Sequence, residues 1–410
     1  QTLVTQGFFD MSSLGDPARL DKQTLVAGLA ALADDYETWI SENVHAIGLA
    51  VVGHDAAAQE AMARCSEVLA RLREGIATLD SDEKALDAFR FANQAMAAQR
   101  VRGIYAREQS RGVNVSLGEL DVPKNRSWHP FQLAFLLLSI PALADPMHAD
   151  RTQPLDAHAD LLWFPTGGGK TEAYLGVAAF TMAIRRLQGA LGGVDSARGL
   201  AVIMRYTLRL LTLQQFQRAT TLICSMELLR RAESQKWGRV PFTIGLWVGQ
   251  RTTPNTTSDS HIAIQKERDG KFGTGSTPAQ LTSCPWCGSE IKAGRDIDVN
   301  RETGQTTVYC GALYDRCEFN RSNANGSGLP VSVVDEELYH RPPSMLIATV
   351  DKFAQMAWKG QVRALFGKAD LECPRHGLLW PNAKCTGNHP RKAGLPSTKA
   401  QPIKAIRPPD

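Results

Sequence analysis

The chain has 410 residues with 43% hydrophobic and 21% charged side chains, typical of a soluble globular protein, and its length predicts two or three domains. The formal charge of +4 is too small to indicate nucleic-acid binding without local clusters of basic residues. No apolar run approaches the roughly 18 residues that a membrane helix needs, and the first residues lack a signal-peptide pattern, so we expect neither a membrane protein nor an exported one.

Residues 1–125 are predicted to form a helical accessory domain. Apolar residues recur at three- and four-residue spacing between residues 25 and 40 and again between residues 62 and 79. Asp80 and Glu83 then have the spacing of a capping box, which predicts the start of a third helix. These apolar stripes are typical of a helical core and carry no visible chemistry.

A glycine-rich segment at residues 161–171 predicts a strand, a tight turn and the start of a helix. Glycines let backbone N–H groups surround an anion, and the helix that follows directs its positive end at the same point. Lys170 is expected to reach the β- and γ-phosphates of a nucleotide, and the Thr171 hydroxyl to ligate Mg²⁺. The predicted nucleotide-binding residues of this loop are Pro165, Thr166, Gly167, Gly168, Gly169, Lys170 and Thr171.

The loop has the shortened form that superfamily-2 helicases use, and the segment before it, residues 128–135, also resembles that superfamily. Many of these helicases place an aromatic residue and a glutamine upstream of the phosphate loop. The amide of Gln132 offers a donor and an acceptor side by side, which suits the edge of adenine. The alternative is a buried or capping glutamine at the start of a helix.

Residues 126–250 are predicted to form the first part of a RecA-like lobe, because strands near residues 200–204 and 242–248 alternate with helices as in a doubly wound parallel sheet. The end of the first of these strands resembles helicase motif Ia, which holds the phosphates of a single DNA strand. The candidate DNA contacts are Arg205, Thr207, Arg209 and Gln214. The alternative is a set of surface charges on an ordinary βα unit.

Residues 251–330 are predicted to form a loop-rich insertion, because Thr, Ser, Gly and Asn dominate residues 251–280. Four thiols in two pairs can close a tetrahedral site, and a Cys-x-x-Cys-Gly turn directs two sulfurs at one ion. The predicted structural zinc ligands are Cys284, Cys287, Cys310 and Cys317. A redox pair is the alternative, whereas four sulfurs leave no open position for catalytic zinc.

The lobe is expected to continue over residues 331–372. Asp335 and Glu336 follow an apolar run, as the acidic pair of helicase motif II does, where the Asp holds Mg²⁺ through water and the Glu polarises the attacking water. An exposed acidic turn is an equal alternative, because the next strand resembles the DNA-contacting segment that precedes motif II. At the end of that strand Thr349 and Lys352 are candidate DNA contacts, and a helix cap is the alternative.

The basic segment 373–410 is predicted to hold a second zinc ion through Cys373, His376, Cys385 and His389, although the spacing is irregular. Seven Lys or Arg and no acidic residue occur between residues 373 and 409, which predicts either a stripe that faces phosphates or a mobile basic loop. Six of the eight cysteines lie after residue 280 among histidines, so we expect metal ligation in a reducing, cytoplasmic compartment.

Four segments, residues 162–176, 204–219, 346–353 and 373–377, together resemble one family. They are similar to DrmA, the helicase-like subunit of the bacterial DISARM anti-phage system, and the resemblance covers residues from about 125 to 410. It implies an ATP-dependent helicase or translocase that acts on incoming DNA with a DrmB partner subunit and alongside a DNA methyltransferase. It also implies that motif II lies just past Asp410, so that this N-terminal portion alone would hydrolyse ATP poorly.

A second class of function stays open from the residues themselves. It is a nucleotide-gated DNA-binding or scaffolding subunit without unwinding activity of its own. A GTPase or metabolite kinase is disfavoured, because no Asn-Lys-x-Asp base-recognition motif occurs in the chain.

Overall fold

The computed structural model describes residues 7–50, 53–153, 159–163, 167–207, 209–271, 275–313, 316–324, 326–392 and 395–410. The chain is a mixed α/β protein that divides into two compact units. The first comprises Gln1–Ala97 and Val122–Ile184, and the second comprises Ala98–Asp121 and Arg185–Asp410. Across the described ranges, none of the helices combines the length and apolar character that crossing a bilayer requires.

Long helices build the first unit. They are α1 Lys22–Ala46, α2 Asp55–Ser81, α3 Glu83–Ser110, α4 Pro130–Ala144 and α5 Lys170–Gln188, with short helices at Met11–Gly15, Pro123–Arg126 and Ala149–Thr152. The ends of α3 and α5 extend into the second unit. Helix α2 packs against α1 and α4. The approach to α4 is so close that a Cβ at Gly75 would lie 2.1 Å from the Leu137 carbonyl oxygen.

The helical periodicity is confirmed at Leu25, Leu29, Leu72 and Leu79, which are buried, whereas Trp39 on the predicted apolar face of α1 is 46% exposed. The predicted capping box at Asp80 and Glu83 is wrong, because the capping residue is Asp82. Helix α2 extends past Asp80, and the side chain of Asp82 instead accepts hydrogen bonds from the Lys84 and Ala85 N–H groups at 2.8 and 3.3 Å.

The strand predicted before the glycine loop is not formed at residues 161–163, which have no regular secondary structure. Leu161 and Trp163 are 84% and 85% exposed. The described residues of the first unit contain no β-strand with which this segment could pair. This apolar segment therefore does not form a β-strand, because a strand needs a neighbouring strand for hydrogen bonding as well as a suitable composition.

The second unit contains all the described strands. They are β1 Ala190–Leu191, β2 Val194–Asp195, β3 Val202–Tyr206, β4 Ile244–Trp247, β5 Ile297–Asn300, β6 Gln305–Val308, β7 Val331–Ser332, β8 Met345–Thr349, β9 Leu371–Cys373, β10 Gly377–Leu379 and β11 Gln401–Pro402. Its helices are α6 Arg209–Ala232, α7 Thr257–Arg268 and α8 Asp335–His340. Shorter helical turns lie at Leu117–Leu120, Ser234–Trp237, Ala293–Asp296, Val350–Ala354, Met356–Trp358 and Gly360–Phe366.

The main sheet has the strand order β3-β8-β4-β7, and every neighbouring pair is parallel. All five residues of β8 are buried, as a central strand covered on both faces requires. Gly245 in β4 lets α8 approach the sheet, since a Cβ there would lie 2.5 Å from the Leu338 side chain. The predicted parallel sheet is confirmed at these strands, whereas the RecA-like arrangement around the phosphate loop stays a prediction.

Candidate functional site

The glycine loop is described from Gly167 onwards, and the predicted nucleotide contacts Pro165 and Thr166 lie outside the described residues. Gly167 and Gly169 have φ angles of +87° and +85°, a region that favours glycine because a Cβ is strained there. Helix α5 begins at Lys170 directly after this turn. Lys170 and Thr171 are half-buried in its first turn. The turn and helix of the predicted anion cradle are therefore present.

Gln132 lies against this turn and is hydrogen-bonded to its backbone, a contact that the sequence did not indicate. Its Nε2 atom donates a hydrogen bond to the Gly169 carbonyl at 2.8 Å, and its Oε1 atom accepts one from the His129 N–H at 2.8 Å. The side chain is buried, and a Cβ at Gly169 would lie 2.5 Å from Nε2. This geometry favours the capping alternative, and adenine recognition stays a prediction.

The segment before α4 is anchored to two other helices of the first unit. The Trp128 indole N–H donates to Asn93 Oδ1 of α3 at 2.8 Å, and both residues are buried. On α5, a Cβ at Gly176 would lie 2.8 Å from the Trp128 ring. Trp128 therefore fixes the start of α4, and through Gln132 the glycine loop, relative to α5.

The carboxyl ends of β3, β8 and β4 meet at one edge of the parallel sheet. Of the predicted DNA contacts there, Arg205, Thr207 and Gln214 are exposed, and the side chain of Arg209 lies outside the described residues. Thr349, by contrast, is buried.

Lys352 is also buried, contrary to what a phosphate contact at an open strand end requires. Its Nζ atom forms an ion pair with Asp335 Oδ2 and lies 5.8 Å from the centre of the Trp247 ring. Burial raises the pKa of the Asp335 carboxyl and lowers the pKa of Lys352, and the attraction between the two opposes both effects. The ammonium group of Lys352 therefore contacts Asp335 instead of solvent.

The predicted exposed acidic turn at Asp335 and Glu336 is wrong, because Asp335 is buried at the start of α8. Glu336 accepts a hydrogen bond from the Thr257 N–H at 3.0 Å, at the start of α7. A cavity of about 260 Å³ adjoins both carboxyl groups, together with Lys359 and Lys384. The motif II role of the pair stays a prediction.

The four cysteines of the insertion form one cluster, with all sulfurs within 4.8 Å of one another. The sulfurs of Cys287 and Cys310 are 3.3 Å apart, and those of Cys284 and Cys317 are 4.0 Å apart. Four ligands at the usual Zn–S distance of about 2.3 Å would be about 3.8 Å apart in a tetrahedron. The cluster can therefore hold a metal such as zinc, and none of the eight cysteines forms a disulfide.

The Cys-x-x-Cys-Gly turn is held against α3. The Gly288 N–H donates to the Cys284 carbonyl at 2.8 Å, and Gly288 has a φ angle of +82°. A Cβ at this glycine would lie 2.5 Å from the Ala106 carbonyl oxygen. Between the cysteines, Trp286 lies beneath the guanidinium of Arg102 at 4.3 Å. The insertion is thus anchored to α3 by the packing of Gly288 and Trp286.

Cys373, His376, Cys385 and His389 form a second cluster within 4.8 Å. Cys373 ends β9, and His376 lies in the turn that leads to β10. Cys385 Sγ lies 3.3 Å from both His376 Nδ1 and His389 Nε2. Two thiols and two imidazoles are a common ligand set of structural zinc, so this cluster too can hold such an ion.

The basic segment does not form one exposed stripe. Arg375 and Arg407 are buried. Arg375 donates to the Pro396 carbonyl at 2.9 Å, and Arg407 pairs with Asp410. The exposed basic residues of the segment are Lys384, Arg391, Lys392, Lys399 and Lys404.

No family model matches the chain. Over 416 aligned residues it is 33% identical to the DISARM protein DrmA of Bacillus paralicheniformis. The chain resembles DrmA. The alignment covers 99% of this chain, so it includes the N-terminal helices as well as the region from which the resemblance was predicted. It covers 35% of the relative, so the chain spans about a third of that protein's length.

Proposed function

We propose that the chain binds ATP and Mg²⁺ at its glycine loop and is part of an ATP-dependent DNA helicase or translocase subunit of a bacterial phage-defence complex of the DISARM type. The observation that carries this proposal is the 33% identity to DrmA along 99% of the chain. The left-handed Gly167 and Gly169 directly before α5 support the nucleotide part, because such a turn at a helix N-terminus lets backbone N–H groups surround an anion.

Lys170 and Thr171 are the residues proposed to act on the nucleotide. The ammonium of Lys170 would hold the β- and γ-phosphates, and the Thr171 hydroxyl would ligate Mg²⁺. Gln132 orients the Gly169 carbonyl in the structure, so it would contact adenine only after one of its two backbone hydrogen bonds opens.

DNA phosphates would be held at the carboxyl edge of the parallel sheet. The exposure of Arg205, Thr207 and Gln214 supports this position, and Arg209 is the first residue of α6, which also carries Gln214. Thr349 and Lys352 would join them only after a rearrangement that opens the Lys352–Asp335 pair. The two Cys and His clusters would each hold one structural Zn²⁺, which cross-links its loop. A DrmB-like subunit, a DNA methyltransferase of the same system and a cytoplasmic location complete the proposal.

The alternative is a nucleotide-gated DNA-binding or scaffolding subunit that does not unwind DNA. It is favoured by the commitment of Asp335 to a buried ion pair, which removes the predicted motif II carboxylate from solvent. A subunit whose catalytic carboxylates are held in buried ion pairs can bind ATP and change conformation without hydrolysing the ATP.

The two functions differ in DNA-stimulated ATP hydrolysis by the complete protein. We expect single-stranded DNA to stimulate hydrolysis, and Lys170→Ala to abolish both ATP binding and this stimulation. Lys84→Ala, at an exposed lysine of α3, is the matched control and should leave both unchanged. DNA binding with no turnover in the unaltered protein would favour the scaffolding function, and full ATP affinity in Lys170→Ala would refute the nucleotide site.

A further inference from the structure

The second unit contains a cavity of about 530 Å³ that the functions above do not use. Thr243 and Ser344, which line it, directly precede β4 and β8, so the cavity lies at the amino edge of the parallel sheet. The predicted DNA contacts lie at the opposite, carboxyl edge. Six arginines line the cavity: Arg186, Arg198, Arg230, Arg231, Arg239 and Arg341.

The carboxylates of the cavity do not balance this charge. Three glutamates line it, which leaves a net charge of +3 from the six guanidinium groups. Glu227 pairs with both Arg230 and Arg231, and Glu372 pairs with Arg198.

The third acidic residue, Glu337, accepts its hydrogen bonds from threonines rather than from the arginines. It accepts bonds from the Thr306 N–H and from the hydroxyls of Thr306 and Thr257. Burial raises the pKa of Glu337 to about 7, so it is partly neutral near physiological pH. Protonation of this group increases the net positive charge of the cavity.

Arg186 has a buried guanidinium N–H group that an anion in the cavity could satisfy. Its Nη2 atom donates to the Pro241 carbonyl at 3.1 Å, and its guanidinium lies over the Phe242 ring at 4.5 Å. Its Nη1 atom is buried, and among the described residues no group accepts a hydrogen bond from it. A buried charged donor without a partner is costly unless a ligand supplies the acceptor.

Arg341 is a half-buried cation of the cavity whose hydrogen bonds go to backbone carbonyls rather than to a carboxylate. It donates to the carbonyls of Gly304, Thr303 and Arg375 at 3.0, 2.9 and 2.6 Å. These acceptors are all backbone carbonyls, and the carboxylates of Glu337 and Glu372 act on the Arg341 charge only from a distance. An anion in the cavity would compensate Arg341 and Arg186 together.

We propose that this cavity binds a small oligophosphate, either free or as the phosphate chain of a nucleotide. Guanidinium groups match phosphate oxygens with paired hydrogen bonds, and several arginines at one cavity are typical of phosphate recognition. A volume of about 530 Å³ is in the range of small-ligand sites. The net charge of +3 suits an anion with several charges better than a single carboxylate.

Pyrophosphate is the probe, and the complete protein carrying Lys170→Ala is the background, because that substitution removes phosphate binding at the glycine loop. We expect equilibrium dialysis with labelled pyrophosphate to detect binding in this background. Adding Arg186→Gln should weaken it about tenfold or more, since one charge-assisted hydrogen bond is lost. Arg64→Gln, at an exposed arginine of α2, is the control and should change nothing.

Arg239→Glu, at an exposed residue of the cavity rim, tests the same site without disturbing packing and should also weaken binding. Near-ultraviolet circular dichroism establishes that each variant is folded. The proposal is overturned if pyrophosphate does not bind in the Lys170→Ala background, or if folded Arg239→Glu protein binds it unchanged. Adding ATP or a single-stranded oligonucleotide as competitor identifies the source of the phosphate. Displacement by ATP supports a nucleotide, displacement by neither supports a free oligophosphate, and displacement by the oligonucleotide alone refutes the small ligand.

Discussion

Gln132→Ala tests whether the glutamine before the glycine loop holds the loop or reads the base. The substitution removes two hydrogen bonds, one to the Gly169 carbonyl and one from the His129 N–H, each 2.8 Å long. A neutral hydrogen bond contributes about 0.5–1.5 kcal/mol net, so the local loss of stability should be about 1–3 kcal/mol. The His129 amide should then exchange its proton about fivefold to 150-fold faster.

The measurement is hydrogen exchange of α4 and the glycine loop in the complete protein, together with competition binding of ATP, GTP and inorganic triphosphate. If Gln132 holds the loop, all three ligands should lose affinity by a similar factor. Gln59→Ala, at an exposed glutamine of α2, is the matched control. Unchanged exchange combined with a selective loss of ATP affinity would refute this reasoning and establish adenine recognition instead.

Cys310→Ser and Cys385→Ser should each lower the zinc content from two ions to one per chain in elemental analysis, because the clusters share no ligand; two ions retained in either variant would exclude that cluster. Lys352→Met leaves Asp335 buried without its partner and should cost about 3–5 kcal/mol in denaturant unfolding, whereas adding Asp335→Leu should restore most of it. A loss below about 1 kcal/mol for the single variant would argue against a buried pair. The pKa of Glu337 is about 7 in the folded protein, against an ordinary value of 4.5. Folding therefore binds a proton between these two pH values, so the free energy of unfolding falls as the pH rises from 4.5 to 7, by at most about 3 kcal/mol. Glu337→Gln should flatten this part of the stability profile, and a slope identical to that of the unaltered protein would contradict the assignment.

The amphipathic helices, the buried strands and the ligand types follow from short-range sequence patterns. A helical stripe such as Leu72 and Leu79 must be buried somewhere, whatever covers it. Apolar runs such as β8 predict a strand covered on both faces. Cys284 and Cys287 are close in sequence, so a local turn brings their sulfurs together without help from the rest of the chain.

Pairings between distant segments were not predictable in the same way. Asp335 and Lys352 were assigned to separate roles, and burial beside Trp247 makes them one ion pair. A side chain's pairing depends on which distant segment the fold places beside it, and a single sequence does not state that placement.

The sequence by itself indicated the glycine turn before Lys170, the two sets of Cys and His residues that the fold brings together, and the strands that form the parallel sheet. Only the tertiary structure decided that residues 161–163 lie outside a strand, because no described neighbour in their unit offers them hydrogen bonds. It alone assembled the arginine-lined cavity, since its six arginines lie between residues 186 and 341. Local sequence patterns indicate which secondary structures and ligands a residue is suited to. Burial and pairing with distant segments decide which of these roles it has in the folded protein.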